Sequence, residues 1–252
     1  MNILKQTAVR AATEAGRILL QDFGKKHKAK MKDPTDIVTE VDKKSQKKIM
    51  QIIKKRFPDH AIMSEELEHI EGKSDYLWII DPLDGTANYN GKVPFFCVSI
   101  ALAYREQVIL GVVYDPLHRE MFVCQKGKGA YLNGKRIRVS REKNLHRAMI
   151  GADSGHVNRS RSVRKMAKLI DHVRGIRWLG AAALVLCYVA CGRLKGYMTS
   201  NTTTWDCAAG ALMVTESGGK VTDINGKNIR FKISSIFASN RLVHNKVLNK
   251  IK

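Results

Sequence analysis

Apolar side chains at Ile3, Leu4, Ala8, Ala11, Ala15, Ile18 and Leu19 recur at helical spacing, so roughly the first twenty residues are predicted to form an amphipathic helix. The same period returns over 43–57, where Ile49, Ile52, Ile53 and Phe57 share one face and lysines the other. Beyond Pro58 the pattern changes, and 61–64, 76–80, 98–104, 108–114 and 121–125 read as strands of a mostly antiparallel sheet. From about Met149 the signals alternate. A strand at Ile150, a helix over 162–173, a strand near Ile176, a helix over 181–191 and a strand near Gly196 predict an α/β second half. A helix over 206–216, short strands at 220–223 and 235–238 and a last helix from Arg241 complete the chain. The expected division is an α+β half, 1–147, and an α/β half, 148–252.

Length and composition narrow the class. A chain of 252 residues that is 44% hydrophobic, with five prolines and no low-complexity tract, is a folded globule with room for an enclosed site. The longest uncharged apolar stretch, Gly180 to Gly192, is too short for a bilayer core of about 30 Å and reads as a buried helix, so no membrane association is expected. Lys5, Arg10 and Glu14 interrupt any secretory apolar core. Cys97, Cys124, Cys187, Cys191 and Cys207 are an odd set without CxxC spacing, embedded in apolar residues. Reduced core thiols in a cytoplasmic protein are the expectation.

Charge is the unusual feature. Lys and Arg total 44 against 23 Asp and Glu, a formal net charge of +21 that favours anionic partners and some non-specific attraction for nucleic acid. The densest run, residues 25–32, lacks the interleaved aromatics of a single-strand binder and is expected to be a solvated loop.

Candidate chemistry centres on Asp81-Pro82-Leu83-Asp84-Gly85-Thr86, where a buried-looking strand, Trp78 to Ile80, ends in two acids, a glycine and a hydroxyl. Pro82 stiffens the turn and brings Asp84 back beside Asp81, so two hard carboxylates and the Leu83 carbonyl can share divalent cations. Gly85 and Thr86 offer backbone N–H groups at an apparent helix start, a seat for phosphate. Asp-Pro and Asp-Gly are also ordinary turn formers. Asp115-Pro116-Leu117 is an internal control: no second acid, glycine or hydroxyl follows, and it reads as a hairpin turn. Glu65, directly after strand 61–64, Asp42, just ahead of the second helix, and Asp206, at the start of an alanine-rich helix, complete one oxygen-rich set. Gly129 to Lys135 imitates a phosphate loop, but Arg136 replaces the required hydroxyl, and Asn133-Gly134 predicts a hairpin. The histidines form no HxH or HxxxH pair, which disfavours a zinc site.

Asp81-Pro82-Leu83-Asp84-Gly85-Thr86, together with Trp205-Asp206-Cys207-Ala208-Ala209-Gly210, resembles the two signatures of the inositol monophosphatase family. The segments 36–42, 64–66, 111–114, 127–130 and 133–134 follow in that family's order and spacing. The resemblance implies a layered α-β-α-β-α sandwich of the sugar-phosphatase type, usually dimeric, using two or three magnesium ions and inhibited by lithium. By position, Glu65, Asp81 and the Leu83 carbonyl would bind a first metal, and Asp81, Asp84 and Asp206 a second. Asp42, Thr86 and Glu65 would orient the attacking water. Gly85 and Thr86 would bind phosphate through their amides, and Gly180, Ala181 and Ala182 would line the sugar pocket. Thr199 stands where inositol-specific members carry a glutamate, and Thr202-Thr203-Thr204 replaces their usual residues before Trp205.

The function this implies is magnesium-dependent hydrolysis of inositol 1-phosphate or a related sugar phosphate. Fructose 1,6-bisphosphate and 3′-phosphoadenosine nucleotides are alternative substrates. An RNA- or transcription-associated accessory protein is an alternative of another class, motivated by the charge and by relatives that join transcription complexes.

Overall fold

A computed structural model describes residues 3–26, 28–33, 36–155, 159–229 and 231–252. Among them, the first half runs α1 (Ile3–Asp22), β1 (Ala29–Asp33), β2 (Asp36–Thr39), α2 (Glu40–Arg56), β3 (Ala61–Ser64), β4 (Leu67–Ile70), β5 (Tyr76–Asp84), α3 (Thr86–Asn90), β6 (Cys97–Tyr104), β7 (Gln107–Asp115), β8 (Glu120–Gln125), β9 (Gly129–Leu132) and β10 (Lys135–Arg136). The second half runs β11 (Met149–Asp153), α4 (Arg159–Ile170), β12 (Gly175–Trp178), α5 (Ala182–Ala190), β13 (Gly196–Thr199), α6 (Thr204–Glu216), β14 (Lys220–Thr222), β15 (Ile236–Ser239) and α7 (His244–Ile251).

Strands β3 to β10 form an eight-stranded sheet in the order β10-β9-β8-β7-β6-β5-β3-β4, antiparallel except between β3 and β5. The second sheet has the order β12-β11-β13-β15-β14, with β11 parallel to both of its neighbours. Alternation along buried strands decides which helices each sheet carries. Trp78 and Ile80 of β5, with Val98, Ile100 and Leu102 of β6, pack under Ala8, Ala11, Ala15 and Leu19 of α1 and Val41, Ile49 and Ile53 of α2. Ile79, Cys97, Ala101 and Ala103 point the other way, onto Ala183, Leu184, Val185 and Leu186 of α5 and Cys207, Ala208 and Ala209 of α6. Beyond the second sheet, Met166 and Leu169 of α4 and Val247, Leu248 and Ile251 of α7 cover Ile150, Ala152, Met198 and Phe237. The layers are therefore α1/α2, sheet, α5/α6, sheet, α4/α7.

Small residues set the spacing of the central layer. A Cβ on Gly210 of α6 would stand 2.5 Å from Leu186 Cβ, and one on Gly111 of β7 would stand 2.9 Å from the Ala209 carbonyl oxygen. These approaches bring α5 and α6 against each other and against the first sheet, and so fix where both helices begin.

Several local expectations change. Asp42 lies inside the first turn of α2, where Thr39 is the N-cap and the pair forms a capping box. That box moves the helix start to Glu40. The basic run is not all loop, because Ala29–Asp33 pairs antiparallel with Asp36–Thr39; His27 of that run lies outside the described residues. Strand β5 does not stop at Ile80 but continues to Asp84 through a register shift between Asp81 and Asp84. The Asn133-Gly134 hairpin forms as expected, with φ of 47° and 78° at its two turn residues. No helix among the described residues is long and apolar enough to cross a membrane.

Candidate active site

The register shift in β5 is a bulge, and it is the reason two aspartates three positions apart face one cleft. Pro82 belongs there, since it has no N–H to give to a ladder. The Asp81 carboxylate accepts the Leu83 amide at 3.0 Å, and Ser45 of α2 donates to the Pro82 carbonyl at 2.8 Å, so the bulge is held from both sides. Parallel pairing of Ser64 with Ile80 places Glu65 beside Asp81, and the Glu65 amide donates to the Ile80 carbonyl at 3.3 Å.

Asp84 meets the start of α5 from across the central layer. Its Oδ1 accepts the Ala182 amide at 3.0 Å and its Oδ2 the Ala183 amide at 2.8 Å, and the Cys97 thiol lies 3.4 Å from Oδ2. A helix N-terminus favours a carboxylate there. Asp206 occupies the first turn of α6, where its Oδ2 accepts the Thr202 hydroxyl at 3.0 Å and the Thr203 amide at 3.1 Å.

Gly85 has φ 94°, and a Cβ on it would stand 3.1 Å from Ala181 Cβ and 3.2 Å from the Gly180 carbonyl. Only glycine fits a left-handed residue pressed against that segment. Asn88 completes the junction by donating to the Phe95 and Leu179 carbonyls at 2.8 and 2.7 Å.

The result is a cleft of about 250 Å³ lined by Glu65, Asp81, Leu83, Asp84, Gly85, Thr86, Gly180, Ala182, Thr199 and Asp206. Asp42 and Ala181 stand behind this lining: both are buried, and Asp42 reaches the cleft only through Thr86, whose Oγ1 lies 3.0 Å from Asp42 Oδ1. Thr199 is turned into its own chain, donating to the Asn201 carbonyl at 2.9 Å.

Apart from Thr199, sequence reasoning missed the opposite contribution to this cleft. Asp153, Trp178 and Thr199 are the last residues of β11, β12 and β13, and Ser154, Gly155, Arg159, Tyr197, Asn201 and Thr202 join them in the lining, with Ile37 and Ala87 from the first half. Ligands collect at the carboxyl ends of parallel strands, which is the signal that points to these positions.

The electrostatics are those of crowded acids. Burial, and then the charges of Glu65, Asp84 and Asp206, hold the Asp81 carboxyl well above the usual range. Burial and Asp206 push Asp84 up to about 8 against the opposing hydrogen bonds from Cys97 and α5. Carboxylates that raise one another in this way are stabilised as anions by a cation placed among them. Among the described residues, no three His, Cys, Asp or Glu side chains gather closely enough to hold an ion unaided. Magnesium needs only one or two carboxylates, completing its shell with water and phosphate oxygens. The all-oxygen donor set with the Leu83 carbonyl fits that ion and not a sulfur- or nitrogen-seeking one.

The profile of the inositol monophosphatase family matches residues 2–252 of the chain. The Nus factor SuhB of Haemophilus influenzae is 39% identical over 258 aligned residues, covering 100% of this chain and 97% of that protein. The inositol-1-monophosphatase of Mesorhizobium japonicum is 36% identical over 255, covering 99% and 96%. Among solved structures, the extragenic suppressor protein SuhB of Bartonella henselae superposes with a TM-score of 0.96 at 38% identity, covering 100% of this chain and 99% of that one.

Proposed function

The chain belongs to the inositol monophosphatase family and is thereby a phosphoric monoester hydrolase, and from that premise we propose that it releases phosphate from a small sugar or inositol phosphate with magnesium as cofactor, as a cytoplasmic homodimer. The observation that carries this reading is the convergence of Asp81, Asp84, Glu65 and Asp206 on one cleft, where burial, and then the charges of the other three, raise the Asp81 carboxyl.

Glu65, Asp81, the Leu83 carbonyl, Asp84 and Asp206 would hold the ions. Bound there, magnesium supplies acidification of the attacking water and neutralises charge on the phosphoryl oxygens. The protein's own groups position the reactants. Thr86 Oγ1 carries a single proton, which it gives to Asp42 Oδ1, 3.0 Å away. Its lone pairs then accept from a water, with Glu65 in the same cleft lining. Burial raises Asp42 above the usual carboxylate range, which suits it to take up proton density through Thr86 as the water attacks phosphorus. Gly85 and Thr86 present amides to the phosphoryl oxygens. The P–O ester bond breaks on the Asp84 and Asp206 side, the leaving oxygen takes a proton from water, and alcohol and inorganic phosphate result.

The test is phosphate release from inositol 1-phosphate, fructose 1,6-bisphosphate and 3′-phosphoadenosine 5′-phosphate, with magnesium and with or without lithium. Release from none of the three by the wild-type chain refutes the reading.

A second reading has its own support: a net charge of +21 and the 39% identity to a relative named a Nus factor. On that reading the chain also serves as an RNA- or transcription-associated accessory protein. Asp84→Asn separates the two roles, since RNA binding by this variant at physiological salt supports an accessory role and its loss removes it.

A further inference from the structure

We propose that the wall built by the ends of β11, β12 and β13 is a second anion subsite, in which Arg159 receives a second phosphate, so that the preferred substrate is a bisphosphorylated small molecule. This rests on the phosphatase reading and names its substrate class.

Five carboxylic acids line the cleft, namely Glu65, Asp81, Asp84, Asp153 and Asp206, and Arg159 is the one cationic side chain among the described lining residues. An arginine in such company is expected to fold onto a carboxylate, yet among the described residues Arg159 makes no ion pair with any of them. It is held off by a different bond: its Nε donates to Ser154 Oγ at 3.1 Å. That bond leaves the two terminal amino groups of the guanidinium as a fork, the geometry that grips a phosphate through paired N–H donors.

The anchor is itself firmly made. Ser154 is buried, and its carbonyl accepts the Ser162 hydroxyl of α4 at 3.1 Å. Gly155 follows with φ 65°, and a Cβ there would stand 2.2 Å from the Asn201 carbonyl oxygen. The Asp153 carboxylate is committed to the same turn, accepting the Gly155 amide at 3.0 Å. The turn therefore fixes Arg159 and occupies the acid nearest to it in sequence.

The charge requirement separates the two ends of the cleft. A phosphoryl group undergoing hydrolysis would be neutralised by ions held among the carboxylates and would not need the Arg159 guanidinium as well. A cation kept unpaired on another wall serves another anion. Trp178, 49% exposed on that wall, offers a flat apolar face to the ring that joins the two phosphates.

The test compares wild type with Arg159→Gln on fructose 1,6-bisphosphate, adenosine 3′,5′-bisphosphate and inositol 1-phosphate, in magnesium. The ratio of kcat/KM for a bisphosphate to that for the monophosphate is expected to fall about tenfold or more, through KM and not kcat, since one charge-assisted contact is lost. Arg159→Lys is expected to recover part of the ratio. A fall with only one skeleton supports the subsite and identifies the skeleton; an unchanged ratio with both overturns it. Calorimetric binding of the same bisphosphates reads the subsite independently of turnover. If wild type releases no phosphate at all, the phosphatase reading fails, while equal bisphosphate affinity in wild type and Arg159→Gln overturns the subsite by itself.

Discussion

Thr86 Oγ1 stands 3.0 Å from Asp42 Oδ1 and 3.0 Å from the Leu83 carbonyl oxygen, joining the first turn of α2 to a residue 44 positions away. One hydroxyl proton serves one of these acceptors at a time. While Asp42 is ionised it takes that proton, and the Leu83 oxygen is left to a cation. Thr86→Val keeps the shape and deletes the hydroxyl. It is expected to lower kcat by about 100-fold or more with KM little changed, the usual cost of losing a proton-transfer group, while Thr86→Ser retains activity. Steady-state phosphate release checks this, and a Thr86→Val enzyme with wild-type kcat removes Thr86 from the mechanism.

Asp84 links turnover to ion binding. Its oxygens accept amides of α5 while burial and Asp206 oppose its charge. Asp84→Asn keeps an acceptor toward the Ala182 amide but turns an NH2 donor onto the Ala183 amide that the carboxylate accepted, so the metal-free variant is expected to lose a little stability, about 1 kcal/mol. Magnesium well above its Kd stabilises a folded protein by about 2–3 kcal/mol, which for a chain of this size is a rise in Tm of several degrees, roughly 2–4 °C per kcal/mol. That rise is expected in wild type and absent, along with activity, in Asp84→Asn. Thermal melts with and without magnesium decide it; equal magnesium-induced shifts exclude Asp84 as a ligand.

How much of this was legible in the sequence depends on whether a signal is local. The first-half helices and strands carry strong periods, and Asp81 to Thr86 announces itself by composition, because a bulge with Pro82 and a left-handed Gly85 needs those residue types. Asp42 was found as an acid but misplaced, since the capping box with Thr39 depends on a hydrogen bond that spacing alone does not reveal. Strand β1 is missed because Lys30, Lys32 and Asp33 fill three of its five positions, and β2 because it is four residues long and pairs with β1 alone. Arg159, Trp178 and Asp153 were out of reach for a different reason. They come together only when β12, β11 and β13 lie side by side, and nothing local in the sequence gives that order.

The α5/α6 contact is where a single methyl group is expected to be felt. A Cβ on Gly210 would fall 2.5 Å from Leu186 Cβ, an atom fixed to the backbone of α5 with no rotamer to yield. Gly210→Ala gains helix propensity, about 1 kcal/mol, and loses more to overpacking, about 1–3 kcal/mol. A net lowering of urea-unfolding stability is expected, with activity falling too because α5 carries the amides that hold Asp84. An unchanged unfolding midpoint and activity show that the two helices separate freely.

His244 is expected to make stability depend on pH in a defined window. Its ring is fully buried, with Nε2 3.0 Å from Thr222 Oγ1 and Nδ1 2.8 Å from Ser239 Oγ, and it lies 4.5 Å from the Phe237 ring centre. Two hydroxyls, each able to donate or accept, satisfy either neutral tautomer. A charged ring is disfavoured by burial and then by Lys220, which together lower the pKa to about 4. The unfolded chain binds this proton near pH 6.5 and the folded chain only near pH 4. Between those values the unfolded state holds more protons, so the contribution is complete above about pH 6.5 and is lost as pH falls toward 4. The full amount is on the order of 3 kcal/mol, with about 2 kcal/mol gone by pH 5. Carboxylates also titrate at the acid end, so the informative quantity is a difference. Urea unfolding at pH 7 and pH 5 is expected to show wild type losing about 2 kcal/mol more than His244→Gln. Parallel losses in the two proteins mean that the folded chain protonates His244 as readily as the unfolded one, and that the Thr222 and Ser239 hydroxyls accommodate the charge.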